Sequence, residues 1–196
     1  MDLVVVGVVV AIIVVLLLAF LAYSGLFTSV NIGTGRPPIG EVIVAYKFST
    51  GPYERSEKLF REFMKIDDKR TTLGIYYDNP DEVSAERLRY VVGQIVAENE
   101  DPVDRAVRRT YEESGCRFIT LPPTRAAINA WFPHRNKLSI FFGMRSFYSK
   151  LMRYVEEKKL PLEVCLEIYD GETIQYMVPL DEQDAFFVPE AKKFSN

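Results

Sequence analysis

Residues 37–48 read PPIGEVIVAYKF, and residues 122–133 read PPTRAAINAWFP. A constant offset lays Pro37-Pro38 on Pro122-Pro123, Val42-Ile43 on Ala127-Ile128 and Tyr46 on Trp131. Each run is β-branched, aromatic and bounded by turn formers, the pattern of a strand with at least one buried face. The segments after the two runs are alike as well. Past Gly51-Pro52, the apolar positions Leu59, Phe60, Phe63 and Met64 recur at helical spacing, with Glu54, Arg55, Glu57, Lys58, Arg61 and Glu62 turned outward. Residues 71–77 (TTLGIYY) form a strand ended by Asp78-Asn79-Pro80, and residues 88–96 form another. In the second half, strands at 117–121 and 125–132 flank Pro122-Pro123, and Phe147, Leu151, Met152 and Val155 mark a helix. Residues 164–169 and 173–178 make a hairpin about Asp170-Gly171.

The element order is therefore strand, helix, strand, strand, twice. Between the copies, Asp101 and Pro102 open a bridging helix with an inward stripe of Val103, Ala106, Val107, Thr110 and Tyr111, stopped by Gly115. This is an α+β body over residues 28–190: repeat one at 37–98, a bridging helix at 101–115, repeat two at 116–180 and a short tail at 191–196. Two such units pack about a pseudo-twofold axis. The expected arrangement puts the helices on one side of the sheet and a concave surface on the other, with a ligand groove at the junction.

Ahead of the body, residues 3–22 (LVVVGVVVAIIVVLLLAFLA) carry no charge. From Leu3 through Val10 and Leu16 to Ala22 the run covers about 30 Å as a helix, the thickness of a bilayer's hydrocarbon core. It lacks the polar face of a soluble surface helix. A cleaved signal is the alternative, with small residues at Ala22 and Ser24, but Asp2 stands where a signal has its basic region and the apolar run is too long. The reading is a membrane anchor over residues 1–27, with Tyr23 at the interface and a linker from Tyr23 to Pro38 holding a brief strand near residues 28–32. Arg36 and Lys47 are the first cations and lie after the anchor, which points the body to the cytosol. The lack of any Asn-x-Ser/Thr sequon and the presence of only Cys116 and Cys165 agree with that side. So short an anchor suits the thin endoplasmic-reticulum membrane.

With 24 basic and 27 acidic residues, the chain has no strong pull toward nucleic acid, and none is expected as a partner. Thirteen Phe and 11 Tyr argue for a folded body. Arg105, Arg108 and Arg109 make a basic face that Glu112 and Glu113 offset at helical spacing. One histidine, His134, and two distant cysteines leave no expectation of a metal or cofactor, and no nucleophile elbow, phosphate loop or zinc-protease helix occurs. The chemistry-bearing stretch is residues 162–170, LEVCLEIYD. In a strand, Cys165, Glu167 and Tyr169 share one face and Val164, Leu166 and Ile168 the other. The aliphatic face is expected on the helices. Glu167 is then either solvated or the acid of a groove walled by Tyr46, Tyr77, Trp131 and Tyr169, suited to a cationic or electrophilic aromatic ligand.

VAYKF at 44–48, YYDNP at 76–80, LEIY at 166–169 and F-x-VPE at 186–190, behind an apolar anchor, are similar to the testis-expressed protein 264 family. Glu167 and Tyr169 resemble the pair found in bacterial GyrI-like ligand-binding domains. The resemblance implies a single-pass endoplasmic-reticulum protein with a cytosolic GyrI-like domain, acting as a non-enzymatic reticulophagy receptor. It also implies recruitment of Atg8-family proteins through a disordered tail, and links to the valosin-containing segregase and to repair of DNA–protein cross-links. The sequence to Asn196 has no such tail. Its aromatic-x-x-aliphatic quartets at 118–121 and 148–151 fall inside predicted elements, so either Atg8-family proteins are bound through the tail of a longer form or this member does not recruit them directly. Two other readings stand beside the adaptor: a membrane-tethered small-molecule binder or hydrolase using Glu167, and a plain scaffold.

Overall fold

Two strands from opposite halves of the chain, β3 (Thr72–Tyr76) and β7 (Cys165–Tyr169), pair antiparallel, with Gly74 opposite Glu167. The computed structural model describes residues 2–99 and 101–192. On the β3 side the sheet continues through β4 (Arg89–Glu98), β2 (Val42–Thr50) and β5 (Arg117–Leu121). On the β7 side it continues through β8 (Thr173–Pro179), β6 (Ala127–Pro133) and β1 (Gly33–Gly35). The two halves of this eight-stranded sheet thus mirror each other about the β3–β7 seam, the pseudo-twofold expected from the duplicated pattern.

Helix α2 (Ser56–Ile66) packs on β4 and β3, and α4 (Lys137–Lys158) packs on β6 and β8, both on one face. Phe63 anchors α2 over Tyr90, Val92 and Tyr111; Phe147 and Leu151 anchor α4 over Phe132 and Tyr176. The Asn136 side chain accepts from the Ser139 amide while the Ser139 hydroxyl accepts from the Asn136 amide, a reciprocal cap that fixes where α4 begins. The bridging helix α3 (Arg105–Glu113) is capped by Asp104, which accepts from the Ala106 and Val107 amides. The cap expected at Asp101 therefore belongs to Asp104, because its carboxylate meets the unpaired amides of the first turn.

The opposite face of the sheet is covered by residues 183–192. A 3-10 turn at Gln183–Phe186 and the short α5 (Pro189–Lys192) lay Phe186, Val188 and Ala191 over Val44, Leu73, Ile75, Leu166 and Ile168. The Tyr77 hydroxyl donates to the Phe186 carbonyl at 3.1 Å, and Arg89, itself paired with Asp78 at 2.7 Å, donates to the Ala191 carbonyl at 2.8 Å. This overturns the expectation that Val164, Leu166 and Ile168 pack on the helices. Both faces of the central strands are covered, and the aliphatic face takes the C-terminal strap. Residues 191–192 are accordingly part of the body rather than a tail; residues 193–196 lie outside the described residues.

Helix α1 (Leu3–Tyr23) is apolar all round and buries nothing against the body. The residues after it do not form the expected strand at 28–32. Their backbone is taken up by α4 instead: Lys150 donates to the Ser29 hydroxyl and the Val30 carbonyl, both at 2.6 Å, and Val30 is buried. Strand pairing starts only at Gly33, opposite Asn129 of β6. β5, read as the start of repeat two, instead joins β2 at the edge of the first half, which leaves Ala127 as the first paired residue of the second.

A side chain at Gly93, mid-β4, would meet the Ala45 carbonyl and Val44 Cγ1 at 2.6 Å. Gly93→Ala is expected to lower stability by about 1–3 kcal/mol, read as a drop in Tm of the purified chain. Gly33→Ala, facing open space on β1, is expected to leave Tm within about a degree of the parent.

Candidate functional site

Because α2 sits mainly over β4 and reaches only the near side of β3, while α4 sits over β6 and β8, the two helices stand apart above the β3–β7 seam. The result is a groove of about 1810 Å³ between the two helices. This corrects the expected geometry: the groove lies on the helix face, not on the face opposite. Phe60 and Met64 of α2 form one wall, and Ile140, Phe141, Met144 and Met152 of α4 form the other. The floor carries Glu167.

Glu167 is 1% exposed. Tyr169 donates to its Oε2 at 2.9 Å, and the Tyr148 hydroxyl stands 3.5 Å from Oε1. Tyr76 faces the same carboxyl and Ser56. Gly74 makes that third phenol possible: a Cβ there would come within 2.9 Å of the Tyr76 ring and hydroxyl. Loss of water pushes the Glu167 carboxyl up to about 7, and the tyrosine hydrogen bonds only partly offset this. Burial and the neighbouring carboxylate raise Tyr148 and Tyr169 well above the ordinary phenol range. Burial likewise pushes the Cys165 thiol up, so it is an inert neighbour rather than a nucleophile. At one end, the His134 ring meets Tyr169 edge-on at 5.6 Å and Phe60 meets it at 5.1 Å. There Lys137 of α4 reaches Glu57 of α2 at 2.7 Å, an exposed ion pair joining the two halves.

The structure brings together only part of the set read from the sequence. Glu167 and Tyr169 lie in the groove. Tyr77 borders its far end, but its ring packs on Phe187 at 4.6 Å across the sheet. Tyr46 is on the strap side, where its hydroxyl donates to Glu190 at 3.0 Å and burial pushes its pKa up to about 12. Trp131 is 63% exposed near the β1 edge and lines a separate small hollow with Arg36 and Pro38. Repeat alignment pairs these two positions, and strand parity sends them to the other face. The residues that take their place are Tyr76, one position before Tyr77, and Tyr148, Phe60, Phe141 and Met144 on the helices. Tyr76 is readable from the sequence: it shares parity with Thr72 and Gly74, and hence with Glu167 across the seam.

A buried carboxyl titrating near neutrality, ringed by phenols and aromatic walls, can receive a cation or hydrogen-bond donor and exchange a proton with it. Among the described residues no group of three His, Cys, Asp or Glu side chains converges on a metal position.

No protein-family model matches the chain. Testis-expressed protein 264 of Homo sapiens is 38% identical over 177 residues, covering 90% of this chain and 56% of that protein. The Mus musculus homolog is 37% identical over 175 residues, 89% of this chain and 57% of its own length. The chain thus spans little more than half the length of the curated relatives it matches. Among solved structures, EcmrR in its cryo-EM complex with DNA superposes with a TM-score of 0.50 at 16% identity, covering 83% of this chain and 62% of that one, a likeness of fold alone. Over nine-tenths of its length the chain is a homologue of testis-expressed protein 264, with an apolar N-terminal helix ahead of an α+β body of GyrI-like fold.

Proposed function

We propose that the chain is a single-pass adaptor of the endoplasmic-reticulum membrane, its GyrI-like body on the cytosolic face acting as a non-catalytic binding module in reticulophagy. The observation that carries the reading is the joint between α1 and the body. The Arg135 guanidinium donates to the Tyr23 carbonyl at 2.6 Å, and Asn136 donates to the Ser24 hydroxyl at 2.9 Å. A helix with an apolar surface all round needs lipid, and a body bonded to its end works at that lipid's surface. Homology to testis-expressed protein 264 supports the organelle and the pathway. Atg8-family proteins and the valosin-containing segregase are the proposed partners, recruited by a longer form through sequence past Asn196.

A second reading is favoured by Glu167: the groove holds a cationic aromatic ligand, either as a receptor or as a hydrolase with the carboxyl as acid–base. Both readings place the body at the membrane and differ in what it binds.

In microsomes, the full chain with a C-terminal tag is expected to resist carbonate extraction and to lose the tag to added protease. A protected tag would put the body in the lumen and remove the adaptor reading. For the groove, tetraphenylphosphonium binding to the detergent-solubilised chain is expected to tighten as pH rises from 6 to 8, since Glu167 ionises near 7, and to weaken roughly tenfold in Glu167→Gln. Stability should run the other way. Glu167 is held neutral above the 4.5 expected of the unfolded chain, so its contribution is complete below that pH and is lost as pH rises through about 7. Thermal or denaturant titrations are expected to show a loss on the order of 3 kcal/mol across that window, absent in Glu167→Gln.

A further inference from the structure

Four consecutive residues join the groove to the anchor. Arg135 and Asn136 hold the end of α1, and the Arg135 guanidinium also lies 5.0 Å from the Tyr23 ring centre. Their neighbours His134 and Lys137 line the groove. With consecutive Cα atoms about 3.8 Å apart, the near end of the groove lies within roughly 15 Å of the last turn of α1. Nothing in the joint is a swivel. Gly25, at φ +102°, lies so close to the Phe132 ring that a Cβ would come within 2.5 Å of it. Ser24 and Val30 are buried, and β1 is paired to β6. The direction in which the groove opens is therefore fixed relative to the membrane-spanning helix.

Apart from Trp131, the exposed large apolar side chains among the described residues of the body lie in the turn after α1 or along the groove. Leu26 and Phe27, in the turn after α1, are 40% and 75% exposed, and Phe141, one turn into α4, is 56% exposed. Met64 and Met152 continue the exposed apolar surface along the groove. Arg135, over the Tyr23 ring, and Lys137, one turn before Phe141, bring positive charge to the same segment. Apolar side chains mixed with cations, level with an interfacial tyrosine, are the composition of a surface that lies in lipid headgroups.

The walls set the shape of the occupant. At the near end the His134 ring meets the Tyr169 ring at 5.6 Å, and the Tyr169 hydroxyl donates to Glu167 at 2.9 Å, so one aromatic side chain separates the end of the groove from the carboxyl. The walls are Phe60, Ile140, Phe141 and Met144, a lining for an alkyl chain. Glu167 is 1% exposed, and unlike the Asp78 carboxylate, which Arg89 pairs, it has no cationic side chain within ion-pair distance among the described residues.

We propose that the groove opens onto the bilayer and takes its ligand from it: a single-chain amphiphile with an amine head, the head at Glu167 and the chain running out past Phe141 toward the lipid. The proposal rests on reading α1 as a membrane anchor and the groove as a ligand site, and adds the route and the ligand class. The Leu26–Phe27 turn and the first turns of α4 form the rim that rests on the headgroups.

The test uses the full chain in phosphatidylcholine nanodiscs containing a photoactivatable long-chain alkylamine, with cross-links mapped by mass spectrometry. Tetraphenylphosphonium added from water reports the groove independently of the bilayer. The expected result is labelling at Phe60, Phe141 and Met144, competed by unlabelled alkylamine and abolished by Glu167→Gln. In Leu26→Ser/Phe27→Ser, which changes the rim and leaves the groove lining intact, labelling is expected to fall roughly tenfold with tetraphenylphosphonium binding unchanged. Cross-links confined to α1 and the Leu26–Phe27 turn, while tetraphenylphosphonium still binds, would overturn the bilayer route and leave a site open to water. Absence of both signals would overturn the ligand-site reading and this proposal with it.

Discussion

The pairing of Gly74 with Glu167 at the β3–β7 seam is the constraint on which the rest of the molecule turns. Each half is an antiparallel unit whose helix is centred away from the seam strand, so joining the halves at β3 and β7 leaves a gap between the two helices. A glycine on one side of the seam and an acid on the other decide what fills that gap. Gly74 leaves room for Tyr76 to lie across it, and Tyr76, Tyr148 and Tyr169 then surround a carboxyl that has lost its water. The groove is thus a product of duplication, and its chemistry comes from the two strands being different at one register position.

That difference is partly legible in the sequence. The Pro-Pro runs, the Asp170-Gly171 turn and the helix periodicities locate both repeats, and strand alternation puts Glu167 and Tyr169 on one face. Alternation says which residues share a face, not which face the helices choose. Val164, Leu166 and Ile168 look like a helix-packing stripe, yet they meet Phe186 and Val188 from the far end of the chain. Matching Tyr46 to Trp131 identifies equivalent positions in two repeats, but equivalent positions need not reach the seam. Asp101 and Asp104 are equally good caps by residue type, and only the amide positions distinguish them.

The membrane side of the molecule follows from local chemistry acting over a short span. The Asn136–Ser139 reciprocal cap fixes the start of α4, and the residues on either side of it hold Tyr23 and Ser24. A segment that reads as linker by its glycines and prolines is bonded along α4 and β6. Sequence composition could not reveal this, since the partners of Ser29 and Val30 are more than a hundred residues away.

The C-terminal strap has a consequence for biosynthesis. Phe186, Val188 and Ala191 complete the hydrophobic layer over β2, β3 and β7, so a nascent chain that has made every strand still presents an open aliphatic surface until residues 186–191 leave the ribosome. The seam itself joins strands about ninety residues apart, a slow, non-local closure. During that interval an unfinished body held beside a membrane is a target for chaperones and for lateral aggregation, and premature truncation within the strap turns a transient exposure into a permanent one.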